Sequence, residues 1–320
     1  MQIAFASLVG VEPMPFPTLL ARAKAHGLDA VEVNVGPTFR RIGDAPYPGH
    51  LNLDAIARDG PAATQELLAA HGCTITSLAP MLNLLAPDPA VRAERIAVAR
   101  RTIEACAALG VPTMVTYGGS ASGMHFYGLP GVGPDHTSNR VAENLRQFQA
   151  VFTPLAEYAE AHGVRIAFET AARGGGQGNL AHNPELWDLL FDAVPSPALG
   201  LSFDPSHLVW LQIPNIPDLI RQYGPRIYHF DGKDTEILPA VLARQGILGN
   251  AWWRYRLPGL GALDWRAILS AVRDTGYDSV ISIENEDPLF LGLEGVAWSA
   301  SYLRSQFPFD LTNSNSTTGG

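Results

Sequence analysis

Five short β-rich runs of this chain carry an acidic residue beside bulky apolar neighbours: Val31-Glu32-Val33, Phe168-Glu169, Phe203-Asp204, Phe230-Asp231 and Ile283-Glu284. Successive side chains of a strand point to opposite faces, so the bulky residues mark one face and their neighbours the other. Ile166 and Phe168 outward leave Ala167 and Glu169 inward, and Leu201 and Phe203 leave Ser202 and Asp204. Tyr228 and Phe230 outward aim Ile227, His229, Asp231 and Lys233 inward, while Ile281 and Ile283 do so for Ser282, Glu284 and Glu286. Val31 and Val33 leave Glu32 and Asn34. Carboxylates gathered in one place repel each other, and burying them requires a cation or shared protons. A divalent metal ion is the simplest such cation; the alternative is pairing with Arg or Lys from loops. Asp204-Pro205-Ser206-His207 adds an imidazole three residues past a strand-ending carboxylate, a spacing that presents both to one centre.

The elements that must position these groups repeat one phrase: an amphipathic helix, a glycine able to close it in the left-handed conformation, then a short β-rich run. It occurs at Ala25-His26-Gly27, Ala70-His71-Gly72, Ala108-Leu109-Gly110, Ala161-His162-Gly163, Gln222-Tyr223-Gly224 and Asp274-Thr275-Gly276. With the opening run Gln2-Ile3-Ala4-Phe5 and the run from Leu199 to Asp204, eight strands alternate with helices. That pattern predicts an α/β fold, a (β/α)8 barrel with a closed parallel sheet over residues 1–311 as a single domain. The inward carboxylates then sit at the C-terminal ends of their strands, the face on which barrel enzymes carry their sites. Residues 312–320 read as a polar, disordered tail. Gly174-Gly175-Gly176-Gln177-Gly178 follows a strand with no helix directly behind it, so it reads as an active-site loop and not a phosphate cradle. Further Pro- and Gly-rich segments at about 36–50, 118–135 and 235–262 take loop positions after strands.

Composition narrows the class. The 320 residues are 47% hydrophobic and 17% charged, enough for a large core and unlike a disordered chain. Twenty-two basic against 31 acidic residues give a net charge of −9, with no basic run, which opposes nucleic acid or an anionic membrane surface as partner. Two cysteines, Cys73 and Cys106, in apolar surroundings make neither a disulfide framework nor a zinc site. No signal peptide or membrane-spanning run is visible, so the expected location is the cytoplasm. A homo-oligomer is compatible with the sequence.

The ordered series Phe168-Glu169-Thr170, Asp204-Pro205-Ser206-His207, His229-Phe230-Asp231-Gly232-Lys233-Asp234, Arg256-Leu257-Pro258-Gly259-Leu260-Gly261 and Ile283-Glu284-Asn285-Glu286-Asp287 resembles the xylose isomerase-like TIM-barrel superfamily. It is most similar to the sugar phosphate isomerase/epimerase branch, with its ketose 3-epimerases and inosose dehydratases. The resemblance implies one divalent metal held by Glu, Asp, His and Glu from the fifth to eighth strands, with Glu169, Asp204 and Glu284 matching the carboxylates. His207 matches a histidine that contacts substrate. The seventh strand departs from the pattern: Asp231 stands where the branch has its ligand histidine, and His229 matches an earlier histidine. Either Asp231 replaces the imidazole or His229 swings in; register favours Asp231. Four carboxylates around one divalent ion leave a charge of about −2, a hard shell that suits Mn²⁺ or Mg²⁺ over Zn²⁺.

The implied activity is a metal-dependent isomerase or epimerase acting on a sugar or related polyhydroxy carbonyl compound through an enediolate. Glu169 and Glu284 are then the proton-transfer groups, and His207, Lys233, Arg256, Glu32, Asn34 and Trp253 the substrate-binding candidates. A lyase or dehydratase on a keto-sugar or keto-glycoside would share the site, with His229 as general acid for the leaving group. A sugar-binding paralogue without turnover is a further reading. An abasic-site endonuclease is opposed by the negative charge and by too few histidines. Trp252, Trp253 and Tyr255 could wall a sugar pocket or cap the barrel. His26, His71 and His162 sit at helix ends, where the helix dipole favours them. His125, His136 and His182 lie on loops with no informative spacing.

Overall fold

A computed structural model describes residues 1–8, 10–36, 41–42, 45–46, 49–121, 140–172 and 178–307. Eight parallel strands close into a barrel: β1 (Gln2–Ala6), β2 (Ala30–Asn34), β3 (Thr74–Ala79), β4 (Thr113–Thr116), β5 (Arg165–Glu169), β6 (Leu199–Phe203), β7 (Ile227–Gly232) and β8 (Val280–Ile283). Each pairs with its sequence neighbour, and β8 closes the ring against β1, with Ala4 beside Ser282. Helices fill the connections, among them Phe16–Ala25, Pro89–Leu109, Val141–Ala161, Pro184–Ala193, Trp265–Asp274 and Leu293–Gln306. Side-chain caps start several of them: Asp88 accepts from the backbone N–H groups of Ala90 and Val91, Asn183 from Leu186, and Asp264 from Ala267. Of the six closing glycines, Gly224 departs from expectation. Its φ is −45°, because the chain runs on through a 3₁₀ turn at Gly224–Arg226. The looked-for loop at 174–177, His125, His136 and the polar tail lie outside the described residues.

The alternation expected of the strands holds where the large side chains set it. Phe168 lies between Phe148 and Phe152 of the helix outside it, with ring centroids 5.6 and 5.0 Å away. Phe203 and Phe230 stack at 5.5 Å, and Trp187 meets Phe203 edge-on. Inside, small residues predominate, with Ala79, Val115 and Ala167 in one layer.

At the start of β7 the expected parity fails. Leu201 pairs with Ile227 but Ser202 pairs with His229, so Tyr228 is the extra residue of a bulge. Ile227 therefore joins the outer core, and Tyr228 turns inward onto the Ala79, Val115 and Ala167 layer, the reverse of the expectation. Gly200 makes the space: a Cβ there would meet the Tyr228 ring at 2.4 Å. The bulge leaves His229 and Asp231 on the inside, as read from the sequence.

The segment 235–262, expected as a loop, is largely ordered. Asp234–Ile237 and Trp253–Arg256 form an antiparallel ribbon, with helix Pro239–Gln245 between them. Asp234 anchors the chain beyond the ribbon by accepting from the backbone N–H groups of Gly259 and Leu263 and from the Trp265 indole at 3.2, 3.1 and 2.9 Å. This accounts for the glycines after Arg256, since a Cβ on Gly261 would sit 2.1 Å from the Asp234 carboxylate.

Phe168 is the tightest test of the outer core. Phe168→Ala should lower stability by about 3–5 kcal/mol, read from urea denaturation. A loss under about 1 kcal/mol would show that its aromatic contacts do not hold the fifth strand.

Candidate active site

The ends of β2, β5, β6, β7 and β8 bring Glu32, Glu169, Asp204, His207, His229, Asp231, Lys233 and Glu284 into one basin at the C-terminal mouth. Two clusters offer convergent ligand atoms among the described residues, Glu169 with Asp204 and His207, and Glu32 with His229 and Asp231. Glu284 lies beside them on the ammonium of Lys233.

Lys233 is 1% exposed, and its charge is shared among several acids. Its Nζ lies 2.9 Å from Asp204 Oδ2 and 2.9 Å from Glu286 Oε2, and it donates to Glu284 Oε2. Asp234 is not a partner; its carboxylate is spent on the loop beyond the ribbon. His207 Nε2 approaches Asp204 Oδ2 at 3.1 Å and Glu169 Oε1 at 3.4 Å, and its Nδ1 meets the Tyr255 hydroxyl at 3.0 Å. On the other side of the basin, His229 Nε2 lies 2.7 Å from Glu32 Oε2 and Nδ1 lies 2.8 Å from Ser202 Oγ. Ser202 donates to Asp231 Oδ2, and Ser77 donates to Glu32 Oε2. His229 is fully buried, beneath the mouth.

Proton affinities follow from this crowding. Burial, then repulsion from Asp231 and Asp204, raises Glu169 well above the usual carboxylate range against the pull of Lys233. Glu284 is also raised well above it, by burial and by Glu169, although Lys233 opposes. Burial would raise Asp204 too, yet Lys233 and His207 outweigh it and hold that carboxyl low. Burial disfavours the His229 cation, but Glu32 and Asp231 more than compensate and lift it well above an ordinary imidazole. Glu32 is correspondingly lowered, and Asp231, with burial dominant, is raised.

Other sequence-derived candidates are placed differently. The Asn34 side chain accepts from the Leu8 backbone N–H at 3.1 Å and takes a contact from Ser7, tying β2 to the end of β1. Arg256 donates to Glu236 at 2.6 Å and Asp287 at 2.8 Å, so its guanidinium braces the ribbon. Trp253 stacks flat on Trp210 at 4.6 Å and Tyr255 stands edge-on to His207, so the aromatic face of the ribbon walls the basin. Trp252 is buried, and its indole donates to the Ile247 carbonyl. His182 is held on the Asn179 carbonyl, and His71 and His162 on helix-end carbonyls.

One residue of the basin, Tyr117, was not singled out from sequence, and the contacts of a second, Tyr255, were not. Tyr117 follows the inward Val115 by two positions, and burial raises its hydroxyl, with the charges of Glu169 and Glu284 adding to it. Tyr255 appeared only as wall; the alternation Trp253-Arg254-Tyr255-Arg256 is the strand signal that places it against His207 and Lys233.

The residues present suit a divalent cation. Asp204 Oδ2 and His229 Nε2 are buried polar atoms without an aligned hydrogen bond. Around them the donors are mainly carboxylate oxygens, the set that hard divalent ions prefer.

Residues 20–306 match the family model described as xylose isomerase-like TIM barrel. The chain is 29% identical to the protein YfiH of Bacillus subtilis over 91% of this chain and 95% of that one. It is 32% identical to an inosose isomerase of Bacillus velezensis over 44% of this chain and 47% of that one, so that match spans about half of each. Among solved structures, the IOLI protein with a bound zinc atom superposes with a TM-score of 0.67 at 21% identity, over 97% of this chain and 100% of that one. A D-tagatose 3-epimerase-like protein superposes at 0.65 with 20% identity, over 96% and 97%. No helix among the described residues is long and apolar enough to cross a membrane.

The raised proton affinity of Glu169 has a measurable sign. A carboxyl that binds its proton more tightly folded than unfolded stabilises below its folded pKa, and the benefit fades as pH rises through that value. In chelator, the urea midpoint of the wild-type chain should fall as pH rises above the ordinary carboxylate range toward 8. Glu169→Gln removes that contribution and should fall less. Parallel pH profiles for the two proteins would refute the raised proton affinity of Glu169.

Proposed function

This chain belongs to the xylose isomerase-like TIM-barrel family, and within it we propose a divalent-metal-dependent isomerase or epimerase of a sugar or related polyhydroxy carbonyl compound. The observation that carries this reading is the pair Glu169 and Glu284, buried in one basin, both with proton affinities raised well above the usual carboxylate range. Carboxyls that bind a proton more tightly than usual are suited to take one up and return it, as removal of a proton beside a carbonyl requires. The inosose isomerases among the relatives act in the same chemical class.

Glu169, Asp204, Asp231 and Glu284 would hold the ion, with Mn²⁺ or Mg²⁺ favoured by the oxygen-rich shell. When bound, it would polarise the substrate carbonyl and acidify the neighbouring C–H. Glu169 takes the proton from that carbon, and Glu284 returns one, to the opposite face for epimerisation or to the next carbon for isomerisation. His207 Nε2 and the Lys233 ammonium reach the substrate oxygens. His207 is aimed by the Tyr255 hydroxyl on its other nitrogen. Trp253 and Tyr255 exclude water from the ribbon side, and Arg256 holds the ribbon in place through Glu236 and Asp287. Glu32 and Asn34 act on the substrate only through what they fix, namely His229 and the end of β1. Both thiols are free and buried, which suits a reducing compartment such as the cytoplasm.

Incubation with ketoses and inososes in D₂O tests the reading. Deuterium should enter at the carbon beside the carbonyl, with an epimer or isomer as product. Glu169→Gln and Glu284→Gln should each lower turnover by about 10²–10⁴-fold and reduce bound metal. Full metal and full activity in Glu284→Gln overturns the assignment. An unsaturated or deoxy product would make the enzyme a lyase.

A further inference from the structure

Tyr117 stands just past β4, in the layer of the carboxylates. Val115 of β4 pairs with Ala167 of β5 in the inner layer, and Thr116 pairs with Phe168. Carried one residue on, that register sets Tyr117 level with Glu169 and on the same inward side, on strands about 4.8 Å apart. The charges that act on its hydroxyl are those of the mouth: Glu169, Glu284, Lys233 and Glu286. Burial, with the carboxylates adding to it, raises the hydroxyl, so it keeps its hydrogen and serves as a donor.

The backbone on either side of Tyr117 is pinned. Thr116 Oγ donates to the Pro80 and Leu82 carbonyls at 3.1 and 3.3 Å. Asn179 Oδ1 accepts from the Gly119 N–H at 3.1 Å, and Asn83 Oδ1 from the Ser120 N–H at 3.0 Å. The same Asn179 donates to the carbonyl of Glu169 at 2.8 Å, so one buried amide ties the Tyr117 strand end to the Glu169 strand end. Held in this way, the Tyr117 hydroxyl has no hydrogen-bond partner among the described residues. Tyr158, Tyr223, Tyr228, Tyr255 and Tyr277 each engage theirs with a protein group. Tyrosine hydroxyls taken from water ordinarily find such a partner. One left unengaged beside a proton-transfer carboxyl is a donor available to a ligand.

We propose that Tyr117 is a catalytic residue of this site, its hydroxyl donating a hydrogen bond to the substrate's carbonyl oxygen as that oxygen gains negative charge on loss of a proton to Glu169. The C–H electron pair forms a C=C bond, the carbonyl π pair moves onto oxygen, and Tyr117 keeps its own hydrogen throughout. A donor aimed where charge develops acts on the transition state more than on the bound substrate. The role rests on the functional reading, and a stability readout beside the kinetic one separates the two.

Tyr117→Phe in the metal-loaded full-length protein provides the test, with a panel of ketohexoses and inososes in D₂O as probes. Its kcat should fall about 10²–10³-fold while KM changes by less than about threefold. Bound metal and the urea midpoint should match the wild type, because no protein hydrogen bond is lost. A lowered urea midpoint or a failure to fold assigns the hydroxyl to structure and overturns the inference, as does a raised KM with kcat unchanged. A wild type inert on the whole panel removes the functional reading and this role with it. Deuterium exchange by the wild type that Tyr117→Phe matches in rate removes this role alone.

Discussion

The constraint behind this architecture is electrostatic: one buried ammonium, Lys233, faces more negative charge than it can neutralise. It touches Asp204, Glu284 and Glu286, while Glu169 and Asp231 lie near enough to be repelled by the remaining charge. Groups taken out of water must either find a counter-charge or keep their protons. Both outcomes occur a few ångströms apart. The Lys233 ammonium helps hold Asp204 low, whereas burial and the charges of Asp231 and Asp204 push Glu169 up. Carboxyl groups of the same chemistry thus acquire different acidities from their positions alone, the condition for one group to donate while its neighbour accepts.

The scaffold serves that basin at some local cost in regularity. Ser202, Ser77 and Ser282 replace apolar packing in the layer with the charged groups, and two of them are used as hydrogen-bond donors to Glu32 and Asp231. Tyr228 packs on a layer of small side chains, Ala79, Val115 and Ala167, a placement that also requires a bulge and a glycine. Above, the ribbon is clamped on both faces. Arg254 and Arg256 hold Glu236 on one, and the aromatic residues hold Trp210 and His207 on the other.

Much of this could be read from the residues. Phe168, Phe203 and Phe230 face the helices, so their inward neighbours followed by alternation, and the helix–glycine–strand phrase located six of the eight barrel strands. Alternation failed at Tyr228 because a bulge is a property of two paired strands: Leu201 and Ser202 must skip a residue on a segment distant in sequence. The partners of Lys233 were equally hidden. Asp234 is adjacent in the chain, but its carboxylate is taken by backbone N–H groups 25 or more residues later. The roles of Asn34 and Arg256 depend on Ser7, Leu8 and Asp287, contacts that no local pattern encodes.

The inward Tyr228 gives the barrel a floor. Its ring packs against Ala79, Val115 and Ala167, its hydroxyl donates to the Pro197 carbonyl, and the Arg165 guanidinium lies 4.7 Å from its centroid. The ring thus backs the barrel interior from the N-terminal side, opposite the end at which Glu169 and Glu284 stand. A ligand seated over the other end would lie between that backing and bulk solvent, so the buried carboxyls beneath it would exchange protons with the ligand sooner than with water.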